Sequence, residues 1–131
     1  MFVKKAKSLA LYALILAAGL GIGHYVPQLV QMLKPSYSEG NFKAYYPDAK
    51  IRVVVYGTDT CPFCAKTRAY LKERNIAFGD FDVDKTEKGK RDFGELGGKS
   101  VPVILIGNRK LVGFNQKAID AALDKLASSS M

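Results

Sequence analysis

Thiols and imidazoles are scarce in this 131-residue chain, which has two cysteines, Cys61 and Cys64, and one histidine, His24. A disulfide framework of the kind that staples small secreted domains needs more cysteines, spread along the chain. Joining Cys61 to Cys64 would close too small a loop to remove much entropy from the unfolded chain. Zinc normally takes four protein ligands, and His24 lies far from the pair in an apolar segment, so no metal site is expected. Acidic residues are missing from the first 34 positions, which carry Lys4, Lys5, Lys7 and Lys34, while the rest of the chain holds 16 basic and 12 acidic side chains. The net charge of +8 is therefore divided equally between a short segment and a long one. Nucleic-acid binding asks for a clustered basic face with stacking aromatics. Lys88, Lys90 and Arg91 form the only dense basic group, and they read as a solvated helix face. Internal repeats are absent too.

What is present begins with an apolar run. Lys4, Lys5 and Lys7 precede an uncharged stretch from Ser8 to Leu33. Ser8 to Val26 is 19 residues, and a helix of that length covers roughly 28 Å, close to the ~30 Å bilayer core. Pro27 is expected to end this helix. Three readings of the segment stand side by side. A retained signal anchor comes first; a signal peptide cleaved among the small residues around Ala17 to Gly23 comes second; a buried soluble helix is third. Under the first two, the lysines stay cytoplasmic and the rest of the chain crosses the membrane. The chain then divides into an anchor (1–34), a polar spacer (35–50), a soluble domain (51–127) and a frayed tail (128–131). Tyr45 and Tyr46 in the spacer either dock on the domain or sit at the lipid interface.

The domain reads as alternating strands and helices. Ile51 to Tyr56 is β-branched and nearly continuous, the pattern of a buried strand. Gly57 to Thr60 make a turn, and Pro62 suits the first position of a helix that runs to about Arg74. Ile76 to Val83 is a second strand, and Asp84 or Thr86 caps a short charged helix. Pro102 to Ile106 and Arg109 to Val112 make a hairpin about Gly107-Asn108. Asn115 then opens a helix with an apolar stripe at Ile119, Ala122, Leu123 and Leu126. Strand–helix–strand at the start implies a parallel pair, so the hairpin makes the sheet mixed.

Cys61-Pro62-Phe63-Cys64 lies where the first strand turns into the first helix of the domain. At a helix start, free backbone N–H groups and the positive end of the dipole favour a thiolate, the attacking species in disulfide exchange. Cys64 is one turn on and on the same face, placed to resolve a mixed disulfide. Lys66 and Arg68 add positive charge nearby or point to water. A thiol–disulfide oxidoreductase is the leading reading of these residues.

Three separated pieces resemble the glutaredoxin branch of the thioredoxin superfamily: Tyr56-Gly57-Thr58-Asp59-Thr60-Cys61-Pro62-Phe63-Cys64, Ser100-Val101-Pro102, and Val112-Gly113-Phe114-Asn115. The resemblance covers roughly residues 50–127. It implies a thioredoxin-like α/β fold, with a four-stranded mixed sheet and about three flanking helices; the one transmembrane helix expected ahead of it lies outside the resemblance. It also implies a cis Pro102 beside the nucleophile Cys61, with Cys64 resolving. Phe63, Ser100, Val101, Pro102, Gly113, Phe114 and Asn115 would bind substrate or glutathione. Thr58, Phe63 and Val112 stand where many relatives have lysine, tyrosine and glycine. No bound cofactor is expected, and glutathione would serve as co-substrate. Partners would be disulfide-containing proteins or glutathione, and a reductase or membrane electron donor. The redox domain would lie in a periplasm or lumen, attached to the membrane or secreted. Other classes to weigh are an iron–sulfur-binding module, which would need glutathione and a dimer, and a redox-inactive adaptor.

Overall fold

The computed structural model describes residues 2–33 and 36–130, in two units that divide between residues 35 and 36. The first is a single helix, α1, Phe2–Leu33. It includes Pro27 rather than ending there, contrary to the expectation from sequence. A proline removes one N–H bond, and Gln28, Leu29, Gln31, Met32 and Leu33 beyond it form helix well enough for it to resume. Within α1, Phe2–Val30 is apolar and long enough to cross a membrane, and its side chains are exposed, Leu9, Leu14, Leu16 and Leu20 among them. A signal sequence would have the same character.

The second unit is a five-stranded sheet flanked by three helices. Its elements are β1 (Tyr37–Glu39), a 3-10 turn (Lys43–Tyr45), β2 (Val53–Gly57), α2 (Pro62–Glu73), β3 (Gly79–Asp82), α3 (Glu87–Glu95), β4 (Val103–Ile106), β5 (Arg109–Val112) and α4 (Gln116–Ser129). Strand order is β1-β5-β4-β2-β3; β2 and β3 are parallel, and the other pairs are antiparallel. The four strands expected from sequence are therefore five. The added strand comes from the stretch read as a spacer, where Tyr37, Ser38 and Glu39 pair with Leu111, Lys110 and Arg109. Glu39 then binds Arg109 and Lys125 at 3.3 and 2.7 Å. Tyr46 docks as well, its hydroxyl donating to the Gly107 carbonyl at 2.8 Å.

Alternation along the strands divides the core between the two sheet faces. Val53, Val55, Ile104, Ile106 and Leu111 pack with Leu71 of α2 and with Ala118, Ile119 and Ala122 of α4. Val54, Tyr56, Val103 and Leu105 face the other way, under Leu96, Phe93, Phe42, Tyr45 and Tyr46. On that face the buried Asp92 carboxylate accepts from the Tyr56 hydroxyl at 2.9 Å and from Lys88 at 2.5 Å. Central β2 is buried at all five positions. It therefore ends rigidly at Gly57, four residues before Cys61.

Candidate functional site

Cys61 is the N-cap of α2. Its backbone is extended (φ −85°, ψ 116°), Pro62 takes the first helical turn, and the Cys64 N–H donates to Cys61 Sγ at 3.1 Å. Sulfur thus does the work that serine or aspartate oxygen does at an ordinary cap, at the helix end that favours negative charge. Cys61 is half-buried and Cys64 fully buried, and both are free thiols. The outer sulfur can meet another molecule, whereas the inner one can meet only Cys61 or whatever Cys61 is bonded to.

Burial first, and then the neighbouring Cys61 sulfur through their hydrogen bond and charge, push the Cys64 thiol up to about 11 against the opposing pull of a Thr58 backbone hydrogen bond and the Arg68 charge. Gly57, expected to be only a turn residue, is the floor of this pocket. A Cβ on Gly57 would stand 2.8 Å from Cys64 Sγ and 3.3 Å from Arg68 Nη2. Arg68 donates from Nε to Asp80 Oδ2 at 2.8 Å and from Nη1 to the Thr58 carbonyl at 3.1 Å. Sequence reasoning noted Arg68 only as nearby charge and Gly57 only as part of the turn before Cys61, and it passed over Asp80. Their contacts join β2, α2 and β3, and no spacing in the sequence reveals them.

The Val101–Pro102 peptide is cis, and the Cys61 thiol lies 3.9 Å from the Val101 carbonyl. Pro102 is buried and its carbonyl accepts from Gly113 N–H at 2.8 Å, which ties this loop to the turn before α4. Gly113 has φ +79°, a conformation glycine adopts without cost. Phe114 meets Tyr70 edge-on at 5.8 Å, with Lys66 Nζ 5.1 Å from its ring centre. Asn115 caps α4 by accepting from Ala118 N–H at 3.1 Å, and its amide donates to Ser36 Oγ at 3.5 Å. Its side chain thus both caps the helix and reaches back to the residue before β1. Phe63 is 58% exposed and Ser100 is exposed, neither hydrogen-bonded through its side chain to a cysteine. Among the described residues no three His, Cys, Asp or Glu side chains are grouped as metal ligands.

Known proteins share the sequence pattern and the fold of this unit. A family model described as glutaredoxin matches residues 53–112. The chain is 42% identical over 74 residues to an uncharacterized glutaredoxin-like 8.6 kDa protein in the rubredoxin operon of Clostridium pasteurianum, a match spanning 56% of this chain and 99% of that one. It is 35% identical over 81 residues to glutaredoxin 1 of Rickettsia prowazekii, over 56% of this chain and 84% of the relative. Among solved structures, a glutaredoxin from Archaeoglobus fulgidus superposes with a TM-score of 0.52 at 25% identity, covering 66% of this chain and 98% of its own.

Proposed function

The chain belongs to the glutaredoxin family, and from that premise we propose that it is a thiol–disulfide oxidoreductase held at a membrane by α1, with Cys61 as nucleophile and Cys64 as resolving thiol. The family generally acts on glutathione or disulfide substrates. Here Cys61 sulfur attacks one sulfur of a substrate disulfide. A Cys61–substrate S–S bond forms, the substrate's own S–S bond breaks, and the departing thiolate takes a proton. Cys64 then attacks Cys61 sulfur and releases the second substrate thiol. Two electrons have passed to the substrate and the protein keeps a Cys61–Cys64 disulfide. Glutathione, a reductase or a membrane electron donor returns it to the dithiol. The cis Pro102 presents the Val101 backbone to the substrate and the turn through Phe114 and Asn115 borders it beyond Gly113, with Phe63 and Phe114 as apolar walls and Ser100 at the rim.

One observation carries this reading: an accessible sulfur capping α2, with a second, buried sulfur one turn inside it. The length and apolar character of Phe2–Val30 support insertion of α1 into a bilayer. Lys4, Lys5 and Lys7 favour a cytoplasmic N-terminus and a redox domain on the opposite side.

The test is a titration of the full chain in detergent against glutathione redox buffers, with mass spectrometry of the same samples. The expected result is a two-electron transition near about −200 to −230 mV with a Cys61–glutathione adduct. Absence of any transition would sink the proposal. Fractionation of a C-terminally tagged protein should give a full-length band released only by detergent; a soluble, shortened band would show a cleaved signal peptide instead.

A further inference from the structure

Arg68 is held by two partners and aims a third nitrogen elsewhere. Nε is committed to Asp80 and Nη1 to the Thr58 carbonyl, at 2.8 and 3.1 Å, and its side chain is only 16% exposed. Nη2 faces Gly57. A Cβ there would lie 3.3 Å from Nη2 and 2.8 Å from Cys64 Sγ, so the guanidinium and the buried sulfur flank the same glycine, whose missing side chain leaves both room. We propose that Arg68 is a positioning residue for the second half of the reaction, its charge favouring the Cys64 thiolate at the moment that sulfur attacks the mixed disulfide. The proposal rests on the thiol–disulfide reading of this site.

The charges around Cys64 support it. Burial and the Cys61 sulfur oppose ionisation of Cys64, while the Thr58 backbone and Arg68 favour it. Once Cys61 is in a mixed disulfide it carries no charge and donates no S–H. Arg68 is then the charged side chain that favours the Cys64 thiolate, moderated by its partner Asp80. Asp59, on the turn between β2 and α2, is paired with Lys85 on the solvent side. Partial burial lets the guanidinium act through less water than a surface lysine would. A forked side chain can hold Asp80 and Thr58 together and still present a third nitrogen, which an ammonium cannot do as rigidly. In the step itself, the Cys64 proton goes to water and a Cys61–Cys64 bond forms. The bond from Cys61 to the departing sulfur breaks, and that sulfur leaves with the electron pair.

The reduced full chain in detergent, mixed with excess dithiobis(nitrobenzoate) by stopped flow, reports the two halves separately. The first thionitrobenzoate released marks attack by Cys61, and the second marks its displacement by Cys64. Arg68→Gln is expected to slow the second phase about tenfold near pH 8 and move its pH profile up by about one unit, leaving the first phase within about twofold. Arg68→Lys, which keeps the charge and loses the fork, should fall between the wild type and Arg68→Gln. An unchanged second phase in Arg68→Gln, or equal loss in both variants, would overturn the proposal. Should Arg68→Gln fail to fold, Asp80→Asn decides: with the neutralising carboxylate gone, the second phase should quicken, and an unchanged or slower one counts against Arg68. A wild-type chain with no first phase would remove the oxidoreductase reading, and this proposal with it, an outcome separable from any defect confined to the second phase.

Discussion

The backbone N–H of Cys64 donates to the sulfur of Cys61 across 3.1 Å. The residue that would finish the reaction therefore also holds in place the sulfur that would begin it. Because this bond uses main chain, replacing the Cys64 side chain leaves it intact, and the two roles of Cys64 can be tested apart.

Cys64→Ser should retain attack by Cys61 but halt at the mixed disulfide. Intact-mass measurement after exposure to oxidised glutathione should show one added glutathione on nearly every molecule. Cys61→Ser should show none. An adduct on Cys61→Ser would mean that the buried sulfur is the nucleophile.

Release of the mixed disulfide should speed up as the solution becomes more alkaline. Cys64 is raised chiefly by burial, which persists in the mixed disulfide, so its reactive thiolate is a minor form at neutral pH and grows about tenfold for each pH unit until the thiol titrates. The rate of the second thionitrobenzoate release should accordingly climb from pH 7 to pH 9. A plateau below pH 8 would contradict the burial argument.

Gly89→Ala separates local propensity from packing. Alanine inside a helix is favoured over glycine by about 1 kcal/mol, so α3 considered alone predicts a more stable protein. In the fold, however, the new Cβ would stand 2.2 Å from the Asp82 carbonyl oxygen and 2.5 Å from Thr86 Oγ1. Overpacking against backbone costs about 1–3 kcal/mol. Urea unfolding should show net destabilisation, and a raised midpoint would mean that α3 shifts freely against β3.

Tyr46 decides whether residues 36–50 belong to the domain. Its hydroxyl bond to Gly107 is worth about 1 kcal/mol, so Tyr46→Phe should lower stability by that amount. Tyr46→Ala, which also removes the ring from the core face it covers, should cost about 2–4 kcal/mol. A true spacer would leave the unfolding midpoint unmoved in both variants.

Acid should weaken the fold through Asp92. Burial alone would raise its carboxyl, but the Lys88 ammonium, the Tyr56 hydroxyl and Arg91 outweigh it and hold the group below the usual range. A depressed folded value contributes stability that is present above the unfolded value of about 4 and is lost as pH falls through the folded one. Asp92→Asn should flatten the decline in unfolding midpoint below pH 4, besides lowering the midpoint at neutral pH.

Elements whose order is local were legible in the sequence. The β-branched run of β2, Pro62 at the start of α2, the β4–β5 hairpin and the stripe of α4 each declare themselves within a dozen residues, and Thr86 and Asn115 cap the helices they precede. β1 was not legible, because Tyr37-Ser38-Glu39 has no pattern of its own and becomes a strand only by pairing with Leu111, Lys110 and Arg109. The strand expected over Ile76 to Val83 shrinks to Gly79–Asp82 for a related reason. Asn75 turns with φ +56°, and Ile76 and Phe78 reach the core from chain that lies outside the ladder. At the site, the two cysteines and Pro102 were visible as a motif. The Gly57–Cys64–Arg68–Asp80 arrangement was not, since it depends on which side chains a parallel crossover brings together.

The strand gained from residues 37–39 also decides what the sheet shows at its rims. Unshielded strand edges recruit other strands, and natural proteins blunt them with short length and charge. Here β5 is covered by β1, only three residues long and ending in Glu39. The opposite rim, β3, is four residues long and carries Asp80 and Asp82. Both margins are thus brief and acidic, poor templates for an intruding strand.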